Sequence, residues 1–327
     1  MRISRREFLE TAALAGVAAG TLGATDGATT MPTRVLGKTG ARVSILAFGS
    51  GSRFLQYEQE DKALEALQKA LDLGVTYIDT SDDYGKEHLS EKRVGMAIRG
   101  RRDGIFIATK LSNRDGAESE RIVEESLKAL QVDRLDLLHI HALTTADDLA
   151  RIEAKGGVLE QVLKMRERKM TRFIGITGHA DPEVMKTALE RHDFDCAQMA
   201  LNAANASMVS GGGSRGMVPN PEMHTSFETT ALPVAVRKKM GVLAIKSFAQ
   251  DALIGQAAPE KLLYYTLSLP VTAAVVGMPK LEHIDENVRL AKNFKPLPPE
   301  EMRSMAAALS LKNKQALDRF FRRHVDA

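Results

Sequence analysis

A single cysteine, Cys196, occurs in the 327 residues of the chain. One thiol cannot form an intrachain disulfide, and it cannot supply the several thiolates of a cysteine-rich zinc or iron–sulfur centre. Both kinds of site are therefore excluded. We expect Cys196 to be a small buried residue in a strand.

A basic stripe with interleaved aromatic residues, which many nucleic-acid-binding proteins share, is also absent. The formal net charge is only +3, and aromatic residues make up 5% of the chain. We therefore expect no nucleic-acid partner. The composition, with 44% hydrophobic and 27% charged residues, is typical of a soluble globular protein. The length fits one (β/α)8 barrel of ~250 residues with additions.

The N-terminal segment lacks a hydrophobic run long enough for a stable transmembrane helix, because its apolar run from Thr11 to Leu22 is short and rich in Ala and Gly. The run follows Ser4-Arg5-Arg6-Glu7-Phe8-Leu9, which resembles a twin-arginine (Tat) export signal. No cysteine stands directly after the run, so a lipoprotein anchor is excluded. We predict a signal peptide over residues 1–30 and export by the Tat machinery to a periplasmic or extracytoplasmic location. We also predict no membrane span after processing and one folded domain over 31–327. A disordered basic tail is the alternative.

Two phosphate-binding motifs are missing. Gly37-Lys38-Thr39 imitates the end of a P-loop, but Pro32 stands where the first glycine belongs and a strand follows instead of a helix. Gly49-Ser50-Gly51-Ser52-Arg53-Phe54 does not provide the Gly-x-Gly-x-x-Gly turn of a doubly wound sheet. We therefore disfavour an open sheet, and we interpret residues 33–44 as a hairpin leading into a strand.

Short apolar runs alternate with helical periodicity along the chain. The helical pattern is clear at Ala63, Leu64, Leu67, Ala70 and Leu71. Eight strands with helical crossovers predict an α/β fold, a closed (β/α)8 TIM barrel with an N-terminal hairpin. The predicted strands are 43–48, 75–79, 105–110, 135–141, 173–177, 196–201, 241–246 and 272–276. Two additions are predicted, a lid over 202–230 and C-terminal helices from Pro298 onward.

Polar residues stand at the ends of three successive predicted strands. Asp79 closes one strand and is followed by Tyr84-Gly85, Lys110 closes the next, and His141 closes the third. The carboxyl ends of parallel strands form the active face of a (β/α)8 barrel. A phenol with a pKa near ~10 can donate a proton near neutrality only if that pKa is lowered, and a nearby ammonium would lower it.

These pieces resemble the aldo-keto reductase superfamily over roughly residues 33–311. The resemblance rests on the 34–40 hairpin, Asp79-Thr80-Ser81 with Tyr84-Gly85, Lys110 and His141, and more weakly on Gly175-Ile176-Thr177, Gln198 with Asn202, and Gly277 with Glu286-Asn287. It implies NADP(H) or NAD(H) without a metal, and reversible reduction of an aldehyde or ketone. It further implies that Tyr84 is the general acid, that Lys110 and Asp79 tune it, and that His141 orients the carbonyl.

The resemblance also implies a set of cofactor-binding residues, in which Gly178 replaces a common Asn. The aromatic residue that often stacks on nicotinamide in the family is replaced by Ile245, which is not in the set. Lys280 and His283 are the candidates for recognising a 2′-phosphate, which favours NADP over NAD. The set is Gly49, Ser50, Thr177, Gly178, Gln198, Lys246, Ser247, Gly277, Met278, Lys280, His283, Glu286 and Asn287.

Two other functions stay open at this point. His139 and His141 lie two apart on one strand and could ligate zinc in a barrel hydrolase, with His179 as a third ligand. A nucleotide-binding sensor that has lost turnover is the other alternative. The residues do not identify the substrate; we expect Phe54, Tyr57 and the 208–227 loop to line its pocket.

Overall fold

The computed structural model describes residues 30–206, 208–210, 217–219, 225–249 and 253–321, with the backbone alone for 208–210, 217–219 and 311–321. The predicted signal peptide lies outside the described residues apart from Thr30, as does Gly211-Gly212-Gly213 of the predicted lid. No helix in the described ranges has an apolar stretch long enough to cross a bilayer.

Eight parallel strands close into a barrel, because strand 241–245 pairs with both 273–277 and 196–200. The (β/α)8 prediction is therefore confirmed. Every predicted strand is present, and no strand end is shifted by more than three residues. The strands are β3 (Leu46–Gly49), β4 (Tyr77–Asp79), β5 (Phe106–Leu111), β6 (Leu135–Ile140), β7 (Thr171–Gly178), β8 (Cys196–Ala200), β11 (Gly241–Ile245) and β12 (Ala273–Gly277).

The helices lie between the strands, as the periodicity predicts. In the helix Glu60–Asp72, the buried residues Ala63, Leu67 and Ala70 recur at helical spacing and form one face against the barrel. The helices are α1 (Glu60–Asp72), α2 (Leu89–Ala97), α3 (Gly116–Leu130), α4 (Ala146–Ile152), α5 (Val158–Glu167), α6 (Pro182–Arg191), α7 (Ala231–Arg237), α8 (Pro259–Ser268), α9 (Leu281–Lys292) and α10 (Pro299–Phe321).

The predicted strand 43–48 is divided in two. β1 (Thr33–Val35) and β2 (Arg42–Ser44) form the predicted hairpin, and β3 begins only at Leu46. Ser44 ends the hairpin because it exchanges hydrogen bonds with Thr76: its N–H donates to Thr76 Oγ1, and its Oγ accepts from the Thr76 N–H, each at 2.9 Å. The hairpin closes the N-terminal end of the barrel, where Leu36 is fully buried.

The barrel interior changes from apolar to polar along its axis. At the N-terminal end the rings of Tyr77, Phe106 and Phe173 stack, with centroids 5.2 Å and 6.4 Å apart. Cys196 is fully buried in β8, as predicted. At the C-terminal ends of the strands the interior instead contains charged and polar side chains. This end is where the functional residues were predicted.

The segment after β8 contains a second hairpin. β9 (Met208–Ser210) pairs antiparallel with β10 (Met217–Pro219). The predicted lid at 202–230 thus contains regular structure, and its closing over the barrel stays a prediction.

Candidate active site

Asp79, Lys110 and Tyr84 form one hydrogen-bonded cluster at the C-terminal end of the barrel. Lys110 Nζ lies 2.6 Å from Asp79 Oδ2, 2.7 Å from the Thr80 carbonyl and 3.2 Å from Tyr84 Oη. An ammonium has three protons to donate, and these three acceptors account for all of them. The other oxygen of Asp79 accepts from Gln198 Nε2 at 2.9 Å. The cluster is therefore fixed in position and orientation.

The strand register explains why these residues meet. Asp79 of β4 is the register partner of Ala108 in β5, so Lys110 stands two residues further along the neighbouring strand. Residues two apart in a strand point to the same face, which here is the barrel interior. The side chains of Asp79 and Lys110 are only 4% and 1% exposed, so their ion pair is shielded from solvent.

A tight turn presents Tyr84 to the cluster. Its N–H donates to the Ser81 carbonyl at 3.3 Å, and its carbonyl accepts from the Ser90 N–H at 3.1 Å. Gly85 follows with φ of 79°, in the left-handed region that glycine tolerates. Gly51 packs against the phenol ring, since a Cβ there would lie 3.1 Å from ring atom Cε2. The turn therefore fixes the backbone of Tyr84, and Gly51 packs against one face of its ring.

The pKa values in the cluster depend on burial as well as charge. Burial raises the pKa of Tyr84 to about 12, and the Lys110 charge offsets only part of that rise. Burial would lower the pKa of Lys110, but the Asp79 charge raises it above its ordinary value. The expectation that Lys110 brings the net pKa of Tyr84 below its ordinary value is therefore wrong: the ammonium acts in the expected direction, and burial outweighs it. The phenol stays protonated at neutral pH.

His141 follows β6 and lies beside Tyr84. The two ring centroids are 5.7 Å apart at an interplanar angle of 77°. The Nδ1 atom of His141 contacts Ser112 Oγ at 2.9 Å and Ser81 Oγ at 3.2 Å, while no described residue hydrogen-bonds to Nε2. Its backbone N–H donates to the Leu111 carbonyl at 3.0 Å. The structure thus brings together all four predicted catalytic residues.

Glycine backbones predicted to contact the cofactor line the strand ends. Gly49 ends β3, and its register partner Gly277 ends β12. A Cβ on Gly277 would lie 2.7 Å from Cβ of Arg53, so the loop after β3 needs a glycine here. Gly178 ends β7.

Three other predicted cofactor residues form side-chain hydrogen bonds to other residues of the protein. Ser50 Oγ donates to the Asp79 carbonyl at 2.8 Å, and Thr177 Oγ1 accepts from the Ala142 N–H at 2.7 Å. Gln198, as described above, donates to Asp79. These contacts show that Ser50 and Gln198 position Asp79 and that Thr177 anchors the loop after His141, which the sequence did not indicate.

Lys246 and Ser247 follow β11. Lys246 has a left-handed φ of 61°, uncommon for a residue with a side chain. Ser247 is 2% exposed, and its Oγ has no hydrogen-bond partner among the described residues. A buried hydroxyl without a partner costs free energy, which a bound polar ligand would recover. Ser247 therefore fits its predicted place in a cofactor site.

The remaining predicted cofactor residues lie after β12. Met278 is fully buried in the hydrophobic core. The exposed Lys280 precedes α9, whose first two turns contain His283, Glu286 and Asn287. Asn287 Nδ2 donates to the His283 carbonyl at 2.7 Å, so its amide nitrogen is used within the helix.

The His139–His141 zinc pair is not formed. His139 lies fully buried in the barrel against Gly175, where a Cβ would approach its Nδ1 within 2.4 Å. Burial lowers the pKa of His139 well below its ordinary value, which keeps the ring neutral. Within the described ranges, the one group of three possible ligands is Asp82, Asp83 and His141, which includes neither His139 nor His179.

The aromatic residues predicted to line the substrate pocket belong to the core. Phe54 is fully buried and packs edge-on against Phe48, with centroids 5.5 Å apart. Tyr57 is 9% exposed, and Phe227 is 1% exposed. We expected these rings to line a pocket, but they pack in the hydrophobic core. Residues 211–216 and 220–224 of the 208–227 loop lie outside the described residues.

The sequence analysis assigned no role to the residues that surround the predicted catalytic residues, although Ser81 stands in the Asp79-Thr80-Ser81 motif. Ser81, Asp83 and Ser112 contact His141, and Gly51 contacts Tyr84. The only available signal was their spacing from Tyr84 and Lys110.

The sequence profile of the Aldo/keto reductase family matches residues 46–211, about half of the chain, including Asp79, Tyr84, Lys110 and His141. This chain belongs to the aldo/keto reductase family. The resemblance suggested by the motifs is thereby confirmed.

Relatives of this aldo/keto reductase include curated proteins and solved structures. It is 27% identical over 282 residues to the uncharacterized oxidoreductase YqkF of Bacillus subtilis, covering 76% of this chain and 87% of that protein. It is 26% identical over 296 residues to L-galactose dehydrogenase of Arabidopsis thaliana, covering 78% and 86%. An aldo-keto reductase from Klebsiella pneumoniae in complex with NADPH superposes with a TM-score of 0.67 at 23% identity, covering 86% and 96%. The last similarity supports the fold alone.

Proposed function

We propose that the chain is an NADP(H)-dependent oxidoreductase that reversibly reduces an aldehyde or ketone to an alcohol. One observation carries the proposal: Lys110 donates its three protons to Asp79, Thr80 and Tyr84 Oη. Because Tyr84 Oη accepts from Lys110, its own proton is directed elsewhere and can be donated to a substrate. Tyr84 can act as the general acid although its pKa is raised, because the alkoxide that forms when a carbonyl accepts hydride is a stronger base than a phenolate.

The side chains have complementary roles in the reaction. Bound NADPH would supply the hydride. Tyr84 transfers its proton to the carbonyl oxygen as negative charge develops there, and Lys110 stabilises the phenolate that remains. His141 lies beside Tyr84 with Nε2 unused by the described residues, so it can donate to the same oxygen. Asp79 keeps Lys110 in place and neutralises its charge.

Several features support a nucleotide at the strand ends. The unpartnered hydroxyl of Ser247, directly after β11, offers a polar contact to a ligand. Lys280 and His283 stand at the N-terminus of α9, where the helix dipole also favours a phosphate. We propose NADP in preference to NAD because of these basic residues, and the NADPH bound by the Klebsiella pneumoniae relative agrees with this choice.

The proposal is tested by following NADPH consumption with a panel of small aldehydes and ketones. We expect turnover with at least one of them and a higher kcat/KM with NADPH than with NADH. The sensor alternative predicts nucleotide binding without turnover, so tight binding and no turnover across the panel would contradict the enzyme assignment.

We also propose that the reductase is exported by the Tat route, on the basis of Arg5-Arg6 and the apolar run that follows. Because this route carries folded proteins, the nucleotide can be bound in the cytoplasm and carried across. We expect the periplasmic protein, purified without added cofactor and denatured, to release about one NADP(H) per chain. In the matched Arg5→Lys, Arg6→Lys variant the protein should stay in the cytoplasm. Unchanged export of that variant would contradict the signal, and periplasmic protein without nucleotide would contradict co-export.

A further inference from the structure

The turn between Tyr84 and α2 has an uncommon backbone conformation. Glu87 and His88, which lie directly before α2, are both left-handed, with φ of 53° and 60°. Residues that carry a Cβ rarely adopt this conformation, and two in succession persist only when contacts elsewhere hold the segment in place. This strained segment connects Tyr84, the proposed proton donor, to the helix that follows it.

The side chain of His88 provides such a contact. Its Nδ1 atom lies 2.6 Å from Oε2 of Glu91, in the first turn of α2. The other carboxylate oxygen of Glu91 accepts from Thr109 Oγ1 at 2.5 Å. Glu91 and Thr109 are fully buried, so both hydrogen bonds of the carboxylate are shielded from solvent. Glu91 therefore connects His88 to β5, in which Lys110 directly follows Thr109.

The same turn of α2 also binds Tyr84. The N–H of Ser90 donates to the Tyr84 carbonyl at 3.1 Å. The Oγ atom of Ser90 donates to the Ser50 carbonyl at 2.7 Å and lies 2.9 Å from Thr80 Oγ1. Because Ser90 directly precedes Glu91, a displacement of Glu91 also displaces the residue that is bonded to Tyr84.

The hydrogen bond between Lys110 and Tyr84 is the contact most sensitive to such a displacement. Its length of 3.2 Å exceeds those of the two other contacts of the Lys110 ammonium, 2.6 Å to Asp79 and 2.7 Å to the Thr80 carbonyl. Hydrogen bonds from nitrogen to oxygen extend to roughly 3.2 Å, so a small shift of the phenol would break this one. Lys110 is fixed by its two shorter contacts, and the loop alone decides where Tyr84 Oη lies.

A second acid near His88 is the weaker partner. Glu125 Oε2 lies 3.6 Å from His88 Nε2, which is beyond hydrogen-bond distance, and Glu125 also pairs with Arg121. The side chain of Glu125 is 45% exposed, whereas that of Glu91 is fully buried. The contact with Glu91 therefore determines the position of the His88 ring.

We propose that His88 and Glu91 are positioning residues, which hold Tyr84 Oη at hydrogen-bond distance from Lys110. This inference rests on the proposed function, because the position of Tyr84 affects the rate only if Tyr84 is the proton donor. The two residues act through Ser90 and the backbone of Tyr84. Their loss should lower the rate of reduction more than the affinity for the cofactor, because Ser90 keeps its separate hydrogen bond to the loop after β3.

Three substitutions of His88 separate the hydrogen bond from the backbone conformation. His88→Ala removes the bond and keeps a Cβ, whereas His88→Gly removes the bond and tolerates the left-handed backbone. His88→Asn also tolerates that backbone, and its amide N–H can replace Nδ1 as the donor to Glu91. The matched control is His192→Ala, which removes a contact of the same length, 2.6 Å to Glu153, directly after α6.

Kinetics supply the first readout. We expect His88→Ala and His88→Gly to lower kcat for reduction about tenfold with KM and NADPH affinity near wild type, because a small misplacement of a reacting group slows the reaction strongly. The alkaline rise of alcohol oxidation should move to higher pH in both, since a more distant Lys110 lowers the pKa of Tyr84 less. His88→Asn should recover most of the rate, and His192→Ala should match the wild type.

The environment of Tyr84 can also be measured without turnover. The chain has five tyrosines, and NMR on protein labelled with ¹³C at tyrosine Cζ gives a signal for each of them. Tyr84→Phe identifies the Tyr84 signal. This signal should shift in His88→Ala and His88→Gly and return toward its wild-type position in His88→Asn, while the Tyr264 signal should stay unchanged.

Two results would overturn the proposal. The first is an unchanged kcat in an active His88→Ala protein, or an unchanged Tyr84 signal in that variant. The second is full recovery by His88→Gly, because the backbone conformation alone would then position Tyr84. A wild type without turnover whose Tyr84 signal responds as expected would instead contradict the proposed function and leave the positioning of Tyr84 by His88 and Glu91 in place.

Discussion

Replacing Tyr84 with Phe should lower the rate of carbonyl reduction by about 10²–10⁴-fold, because general acid catalysis typically contributes this much. The substitution removes the phenolic oxygen of Tyr84, which accepts a hydrogen bond from Lys110. The ring itself keeps its contacts with Gly51 and His141, so the site should keep its shape. Single-turnover oxidation of bound NADPH measures the rate, and a fluorescence titration measures NADPH affinity, which should stay near wild type.

Tyr57→Phe is the matched control. The Tyr57 hydroxyl is buried and has no hydrogen-bond partner in the described part of the chain, so its removal loses no protein contact. The control should keep wild-type rates. If Tyr84→Phe reduced carbonyls within a few-fold of the wild type, Tyr84 would not be the proton donor.

Replacing Lys110 with Met should destabilise the protein by about 3–5 kcal/mol, because it leaves the buried carboxylate of Asp79 without its cation. Asp79 and Lys110 are almost completely shielded from solvent, so screening by water does not reduce the effect. Gln198 would be the remaining side-chain donor to Asp79. Denaturant unfolding monitored by circular dichroism measures this loss.

The same variant should change the pH dependence of alcohol oxidation. The Lys110 charge lowers the pKa of Tyr84 against the effect of burial, so removing it raises that pKa further. Oxidation needs the phenolate as a base, and its alkaline rise should therefore move to higher pH. Lys69→Met is the control, since Lys69 pairs with Asp285 at 2.7 Å on the surface and should cost about 1 kcal/mol or less. An unchanged pH profile in a stable Lys110→Met protein would place Lys110 outside the site.

The sequence was sufficient to predict the barrel and the meeting of the four predicted catalytic residues at one end of it. Strand and helix periodicity alternate clearly, and sequential parallel strands place Asp79, Lys110 and His141 at one end of the barrel. Such an argument needs only strand order and the direction of each strand.

Contacts that depend on loop geometry could not be predicted. In the sequence, Ser81 and Ser112 are not distinguishable from ordinary turn residues. Only the folded loops bring both hydroxyls to His141. Phe54 was expected in a pocket, but the loop turns it into the core. The net pKa shift of Tyr84 had the wrong expected sign because the degree of burial, which decides it, is a property of the folded chain.

Transfer of deuterium tests the central claim most directly. NADPH deuterated at the transferable position of its nicotinamide is mixed with the protein and an aldehyde substrate, and the alcohol product is analysed by mass spectrometry. The account predicts one deuterium on the former carbonyl carbon in the wild type, and at most a trace of product with Tyr84→Phe. Product without deuterium, or equal deuterated product from both proteins, would contradict it.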